Sequence, residues 1–219
     1  MSKKCLAFIH TSPVMIPIFT DLCRELALDA EVLHIVDETL LKDILRHPRL
    51  PKATSRRVVS HIISAEQAGA DLIMLTCSSL GPAADLAREL VDVSVLRVDQ
   101  PMARLAIKKG RRIGVVATLP ATLSPTAELI SAEAIREKRE IQVTTKLCDG
   151  AFDAFISGDR ETHDRIVSAA ITELSHHVNV IVLAQASMAR VADNLRAEEK
   201  PVPILSSPRL AVEHLATLI

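Results

Sequence analysis

Ala70–Arg88 reads ADLIMLTCSSLGPAADLAR. Leu72-Ile73-Met74-Leu75 is apolar at every position, which fits a short strand covered on both faces. Thr76-Cys77-Ser78-Ser79 interrupts the run. Gly81-Pro82 then opens a helical pattern, since proline suits the first helical turn and a serine can cap it. Leu6-Ala7-Phe8-Ile9, Glu31-Val32-Leu33-His34-Ile35 and Val93-Ser94-Val95-Leu96 also read as strands. Between them, Ile16–Leu28, Asp37–Leu45 and Ser55–Ala68 carry apolar residues at helical spacing. Near-continuous apolar strands alternating with helices predict a parallel sheet with both faces covered.

The opening stretch has a second copy. Displaced by about 107 to 111 positions, the chain lies on itself, the mark of an internal repeat. Ala70–Arg88 falls on Val178–Arg196, VNVIVLAQASMARVADNLR, matching Ile73, Leu75, Ser79, Ala84, Asp85 and Arg88 with Ile181, Leu183, Ser187, Ala192, Asp193 and Arg196. Ile9-His10-Thr11-Ser12-Pro13 falls on Val116-Ala117-Thr118-Leu119-Pro120, and Arg57-Val58-Val59-Ser60 on Arg165-Ile166-Val167-Ser168. Two similar α/β halves of this kind are expected to face each other across a cleft. The chain crosses from one to the other near Asp99-Gln100-Pro101.

Composition narrows the function. At 219 residues and 23.8 kDa the chain suits one compact body or two small domains. A net charge of −1, with lysines and arginines scattered, argues against a binder of nucleic-acid phosphates. The absence of Trp and Tyr removes stacking platforms for single strands. No apolar run nears the roughly 20 residues that cross a bilayer. Met1-Ser2-Lys3-Lys4-Cys5 leads straight into a strand-like run without a signal-peptide pattern. The four cysteines, Cys5, Cys23, Cys77 and Cys148, show no CxxC spacing, so a reduced, cytoplasmic protein is expected. No GxGxxG or phosphate-loop motif occurs, so no nucleotide cofactor of those types is expected. The histidines do not combine with carboxylates at ligand spacing, so no metal is expected either.

In open parallel sheets, ligands sit beyond the carboxyl ends of the strands. The candidate residues are therefore His10-Thr11-Ser12, Thr76-Cys77-Ser78-Ser79, Thr118 with Thr122, and Gln185-Ala186-Ser187. Cys77 stands where a strand hands over to a helix. The positive helix end and its unpaired amides would favour thiolate, lowering the pKa and making a nucleophile or a proton-abstracting base. The other three cysteines read as small buried hydrophobes. The hydroxyls of Thr11, Ser12, Ser78, Ser79, Thr118, Thr122 and Thr126 either cap helices or, with helix-start amides, form a donor nest for a carboxylate. His10 could share a proton with Cys77 or substrate, or serve as a satisfied structural ring.

Taken together, Thr76-Cys77-Ser78-Ser79, the stretch Gly114-Val115-Val116-Ala117-Thr118 with Thr122, and the duplicated layout resemble the aspartate/glutamate/hydantoin racemase superfamily. The resemblance spans essentially the whole chain. It implies two flavodoxin-like domains related by a pseudo-twofold axis, a cleft for a small carboxylate, and no cofactor. The domains would be residues 1–98 plus 208–219, and 99–207, with the helix Arg209–Leu218 packing back on the first. Relatives commonly dimerise, so a homodimer is a possibility. Typical members carry one cysteine per domain, and the two exchange the α-proton from opposite faces of the substrate. The first cysteine is Cys77, but the repeat assigns Gln185 to the second position, and a glutamine cannot ionise. The glutamate branch has an acidic residue where His10 stands.

The expected function is a cofactor-independent, isomerase-type enzyme acting on a small carboxylic or amino acid, with Cys77 as acid/base. His10 or another group would replace the missing thiol, and Thr11, Ser12, Ser78, Ser79, Thr118, Thr122, Gln185 and Ser187 would hold substrate oxygens. One alternative uses the single cysteine in decarboxylation, as the arylmalonate decarboxylase branch does, or in covalent attack or C–C or acyl cleavage. Another is a non-catalytic binder of small acids. No Arg or Lys lies inside the strand-end motifs, which disfavours dicarboxylates, although Arg104 and Arg190 follow closely enough to leave that open.

Overall fold

A computed structural model describes residues 3–47, 49–196 and 200–219. The chain forms two units. One runs to Asp99 and takes in Pro208–Ile219; the other is Gln100–Ser207.

The first unit contains β1 (Lys4–His10), α1 (Met15–Glu25), β2 (Ala30–Val36), α2 (Glu38–Arg46), α3 (Lys52–Gln67), β3 (Leu72–Leu75), a 3₁₀ turn (Ser78–Leu80), α4 (Gly81–Ala87) and β4 (Ser94–Arg97). Its sheet has the order β2-β1-β3-β4, with every pairing parallel. Leu6–Ile9 are fully buried and β3 is buried throughout, as central parallel strands require. The second unit repeats this plan with α5 (Gln100–Lys109), β5 (Arg112–Ala117), α6 (Pro120–Arg136), β6 (Gln142–Leu147), α7 (Ala151–Ser157), α8 (Arg160–Ser175), β7 (Val180–Leu183), a 3₁₀ turn (Ala186–Met188), α9 (Ala189–Asn194) and β8 (Ile204–Ser206). Its sheet order is β6-β5-β7-β8, again all parallel. The duplicated segments thus occupy equivalent places, β3 corresponding to β7 and β1 to β5.

The terminal helix α10 (Ser207–Leu215) is placed by its apolar face. Ala211, Val212 and Leu215 pack with Leu6, Phe8, Phe19, Leu72 and Met74. Arg209 pairs with Glu25 of α1 at 2.8 Å. Each such large aliphatic side chain contributes about 1.5–3 kcal/mol on burial, enough to hold a single helix against the sheet.

Several boundaries differ from the sequence reading, among them the end of the first helix at Glu25 rather than Leu28 and the terminal helix at Ser207–Leu215 rather than Arg209–Leu218; two others have a clear cause. The helix expected to start at Ser55 begins at Lys52, because extended Pro51 precedes it and its carbonyl accepts the Ser55 N–H at 2.9 Å. A polar first turn hides from apolar periodicity. The last strand of the first unit runs on to Arg97, a buried charge that an apolar-run reading stops short of.

Candidate functional site

The first unit gathers its candidate residues at the carboxyl end of its sheet. Thr76 continues β3 by one residue, its N–H bonding to the Ile9 carbonyl at 3.1 Å. Cys77 is still extended, with φ −119° and ψ 119°, and the chain then closes into the 3₁₀ turn through Leu80 N–H to the Cys77 carbonyl at 3.0 Å. The reversal turns the amides of Ser79 and Leu80 toward the Cys77 side chain. The sulfur uses them: the backbone N–H groups of Ser79 and Leu80 and the hydroxyls of Thr11 and Ser79 all bond to it and favour thiolate.

The net effect nevertheless corrects the expectation of a lowered pKa. Burial pushes the Cys77 thiol above its ordinary 9.0, outweighing the four donors. Part of the residue remains open to solvent. Cys77 therefore rests protonated at neutral pH, with donors in place to stabilise the sulfur once the proton leaves. Cys23 and Cys148 are buried and pushed up to about 11 by desolvation.

His10 is fully buried, with both ring nitrogens engaged. Nδ1 lies 2.8 Å from Thr76 Oγ1, and Nε2 lies 2.9 Å from His34 Nδ1; His34 Nε2 lies 3.1 Å from Thr20 Oγ1. Thr76 donates its own hydroxyl proton to the Ile9 carbonyl at 3.1 Å. That fixes the sense of the chain for two neutral rings. Thr20 donates to His34, His34 to His10, and His10 to Thr76. The rings also stack at 5.1 Å, flanked by Phe8 and Phe19. Desolvation, assisted by His34, lowers the pKa of His10 from 6.5 to about 4. His10 thus directs its proton to Thr76, the neighbour of Cys77, rather than to the thiol.

The equivalent corner of the second unit holds a different device. Thr118 N–H donates to Gln185 Oε1 at 2.7 Å, and Gln185 Nε2 donates to Thr118 Oγ1 at 2.7 Å. This clasp occupies the position of the Thr11–Cys77 contact in the first unit. It takes up the Thr118 amide and one of the Gln185 amide protons. The Thr118 hydroxyl proton remains able to donate. Thr122 is buried and Ser187 half-buried on the adjoining helical turns. Thr126 Oγ1, one turn beyond Thr122, is buried without a hydrogen-bond partner.

At the N-cap positions of α1, α6 and the second 3₁₀ turn, Val14, Leu119 and Gln185 make no side-chain cap bond, while the Cys77 sulfur takes the Ser79 and Leu80 amides of the first 3₁₀ turn. Ser12 is half-buried and its carbonyl, not its hydroxyl, accepts the Met15 N–H at 3.2 Å. Ser78 and Ser79 are buried within the first 3₁₀ turn.

Three groups were not found from sequence. Arg97, 6% exposed, clasps Asp99, fully buried, through Nε at 3.1 Å and Nη2 at 3.0 Å, and reaches Asp85 at 3.4 Å. It packs against Gly81, where a Cβ would stand 2.5 Å from Nε and closer still to Cζ and Nη2. Arg97 ends β4 and Asp99 lies in the turn that follows, so the only available signal was an arginine and an aspartate two residues apart at the end of an apolar run. Asp37, just past β2, caps α2 through Thr39 N–H at 2.9 Å and pairs with Arg57 at 3.1 Å and His61 at 2.9 Å. Although burial opposes it, these donors hold Asp37 down at about 2. The His34–Thr20 extension left no sequence trace. Among the described residues no three His, Cys, Asp or Glu side chains converge as a metal set, and no helix is long and apolar enough to cross a membrane.

The sequence pattern of the Asp/Glu/Hydantoin racemase family matches residues 9–215. A glutamate racemase from Bacillus anthracis superposes with a TM-score of 0.79 at 17% identity, covering 98% of this chain and 81% of that one. An aspartate racemase from Picrophilus torridus gives 0.72 at 15% identity, with 98% and 94% covered. An allantoin racemase from Klebsiella pneumoniae gives 0.67 at 18% identity, with 99% and 87% covered. At these identities the likeness establishes the fold. Among curated proteins none matches this sequence.

Proposed function

The chain belongs to the Asp/Glu/Hydantoin racemase family, and from that membership we propose a cofactor-independent isomerase acting at the α-carbon of a small carboxylic or amino acid, with Cys77 as its acid/base. The observation that carries the reading is the Cys77 sulfur itself, protonated at rest and ringed by two amides and two hydroxyls. As acid, the thiol gives its proton to a substrate carbanion, whose electron pair forms the C–H bond. The sulfur keeps the S–H pair as thiolate, stabilised by donors already in place. In the reverse sense the thiolate takes the α-proton and the electron pair passes into the substrate as an enolate.

Gln185 cannot exchange a proton and is engaged with Thr118. Cys77 therefore serves one face of the substrate only; inversion needs a proton delivered to the opposite face by a group other than Gln185, and Thr118 is left to binding through its hydroxyl. A substrate without a second carboxylate is favoured, because the following arginines are each already paired with a carboxylate. Arg97 pairs with Asp99, Arg57 with Asp37, Arg104 with Glu133 and Arg190 with Asp164. His10 positions Thr76 and stays neutral.

The test is proton exchange at the α-carbon in deuterated water, followed by NMR over a panel of monocarboxylic amino and hydroxy acids and matching dicarboxylates. Exchange is expected with a monocarboxylate, starting from one enantiomer faster than from its mirror image. Cys77→Ala should abolish it and Cys148→Ala should leave it. A ligand-dependent rise in melting temperature without exchange in any member of the panel would make the protein a binder and overturn the proposal.

A further inference from the structure

The amino end of the second sheet concentrates positive charge. α5 closes on Lys108 and Lys109, Gly110-Arg111 leads into β5 at Arg112, and α6 closes on Arg136 ahead of Lys138 and Arg139. Here Ile107, Gly110, Arg111, Lys138, Arg139 and Glu140 line a cavity of about 510 Å³. It lies at the opposite end of β5 from Thr118, so it shares nothing with the strand-end residues above. Arg136 pairs with Glu133 and Arg139 with Glu137. Arg111 and Lys138 have no carboxylate partner among the described residues, whereas Arg57, Arg97, Arg104 and Arg190 all do.

Lys138 adds a conformational oddity. Its φ is +53°, in the left-handed region where glycine fits without strain and normally ends a helix. The turn's amides are spent internally: Lys138 N–H bonds to the Ile135 carbonyl at 3.1 Å and Arg139 N–H to the Ala134 carbonyl at 2.8 Å. Arg139 Nη1 donates to the Ile107 carbonyl at 2.9 Å, which anchors its guanidinium at the cavity wall. Any ligand here is held by side-chain cations rather than by backbone.

We propose that this cavity binds a small polyanion carrying two or more phosphate groups. The Arg111 guanidinium fork matches phosphate oxygens in pairs, the Lys138 ammonium supplies a second, mobile charge, and Arg139, held by Glu137 and the Ile107 carbonyl, has only its remaining donors to add. One carboxylate, Glu140, leaves the lining net positive, and the volume falls within the range of small-molecule sites.

The probes are inorganic tripolyphosphate and adenosine triphosphate, titrated calorimetrically into the full chain. Both should bind saturably, with affinity falling steeply between about 50 and 200 mM salt, since the contacts are ionic. Arg111→Ala and Lys138→Gly should each weaken binding about tenfold, the loss of one charge-assisted contact. Lys138→Gly relieves the left-handed strain, so its melting temperature without ligand should hold or rise while binding falls. That opposition separates a lost contact from a damaged fold. Lys146→Ala, which removes a cation paired with Glu173 on β6, should leave binding unchanged. Equal affinity for the two probes means that phosphates alone are read; tighter nucleotide binding means that the base adds contacts. Absence of saturable binding by either probe, or undiminished binding in both variants, overturns the proposal, and the cations then serve only the negative ends of α5 and α6.

Discussion

Gly81→Ala tests how the first unit holds its site end. Gly81 has φ −49° and ψ −46°, a helical conformation that alanine prefers. On backbone grounds alone the substitution should stabilise α4 by about 0.5–1 kcal/mol. The surroundings reverse the sign. The new Cβ would stand 2.5 Å from Arg97 Nε, and carbon atoms need about 3.5 Å, so the guanidinium must retreat by about 1 Å. It cannot do so and keep Asp99. Contacts now at 3.1 and 3.0 Å would open to about 4 Å, beyond hydrogen-bonding range. Breaking a buried pair of this kind costs about 3–5 kcal/mol. The Asp85 contact adds little, because that carboxylate is half exposed. The net expectation is a loss of about 2–4 kcal/mol. With no Trp or Tyr in the chain, the assay is urea unfolding followed by far-ultraviolet circular dichroism. A double-mutant cycle isolates the cause, since the penalty should vanish when Arg97→Met and Asp99→Leu remove the pair beforehand. A Gly81→Ala protein as stable as the parent, or a penalty that persists without the pair, would refute the reasoning.

Two further outcomes follow from the titrating groups. His10 has a pKa of about 4 in the folded chain against 6.5 when unfolded, so its stabilising contribution is complete above pH 6.5 and is lost as the pH falls toward 4. The loss is about 3 kcal/mol over that window, and His34, lowered by its own burial, acts in the same direction. Asp37, held at about 2, changes stability only below its ordinary 3.8 and stays out of that range. Urea midpoints measured from pH 7.5 to 4.5 should fall accordingly, and a curve that stays level would contradict the buried neutral ring. For Cys77, the rate of alkylation by iodoacetamide in the native protein should climb with pH through 9 and beyond, faster at every pH than for buried Cys23 and Cys148. A plateau reached below about pH 8 would mean that the four donors outweigh burial after all.

Sequence alone determined the class of fold and which residues stand at the strand ends. Runs such as Leu72–Leu75 and Ile181–Leu183 are local signals, and a strand apolar at every position can only lie inside a sheet covered on both faces. The repeat paired Thr11 with Thr118 and Cys77 with Gln185 without any coordinates, because duplicated strands keep their end residues in register. What Cys77 and His10 do there was not readable. The proton state of a thiol depends on a balance between dehydration and donors from distant segments. For Cys77 those donors include Thr11, far away along the chain. His10 could have faced a thiol or a histidine. Only the pairing of β1 with β2 and β3 brought His34 and Thr76 to its two nitrogens. Arg97 was invisible for the same reason: a charge ends a strand on paper, and it continues one in the fold because Asp99 neutralises it where water cannot reach.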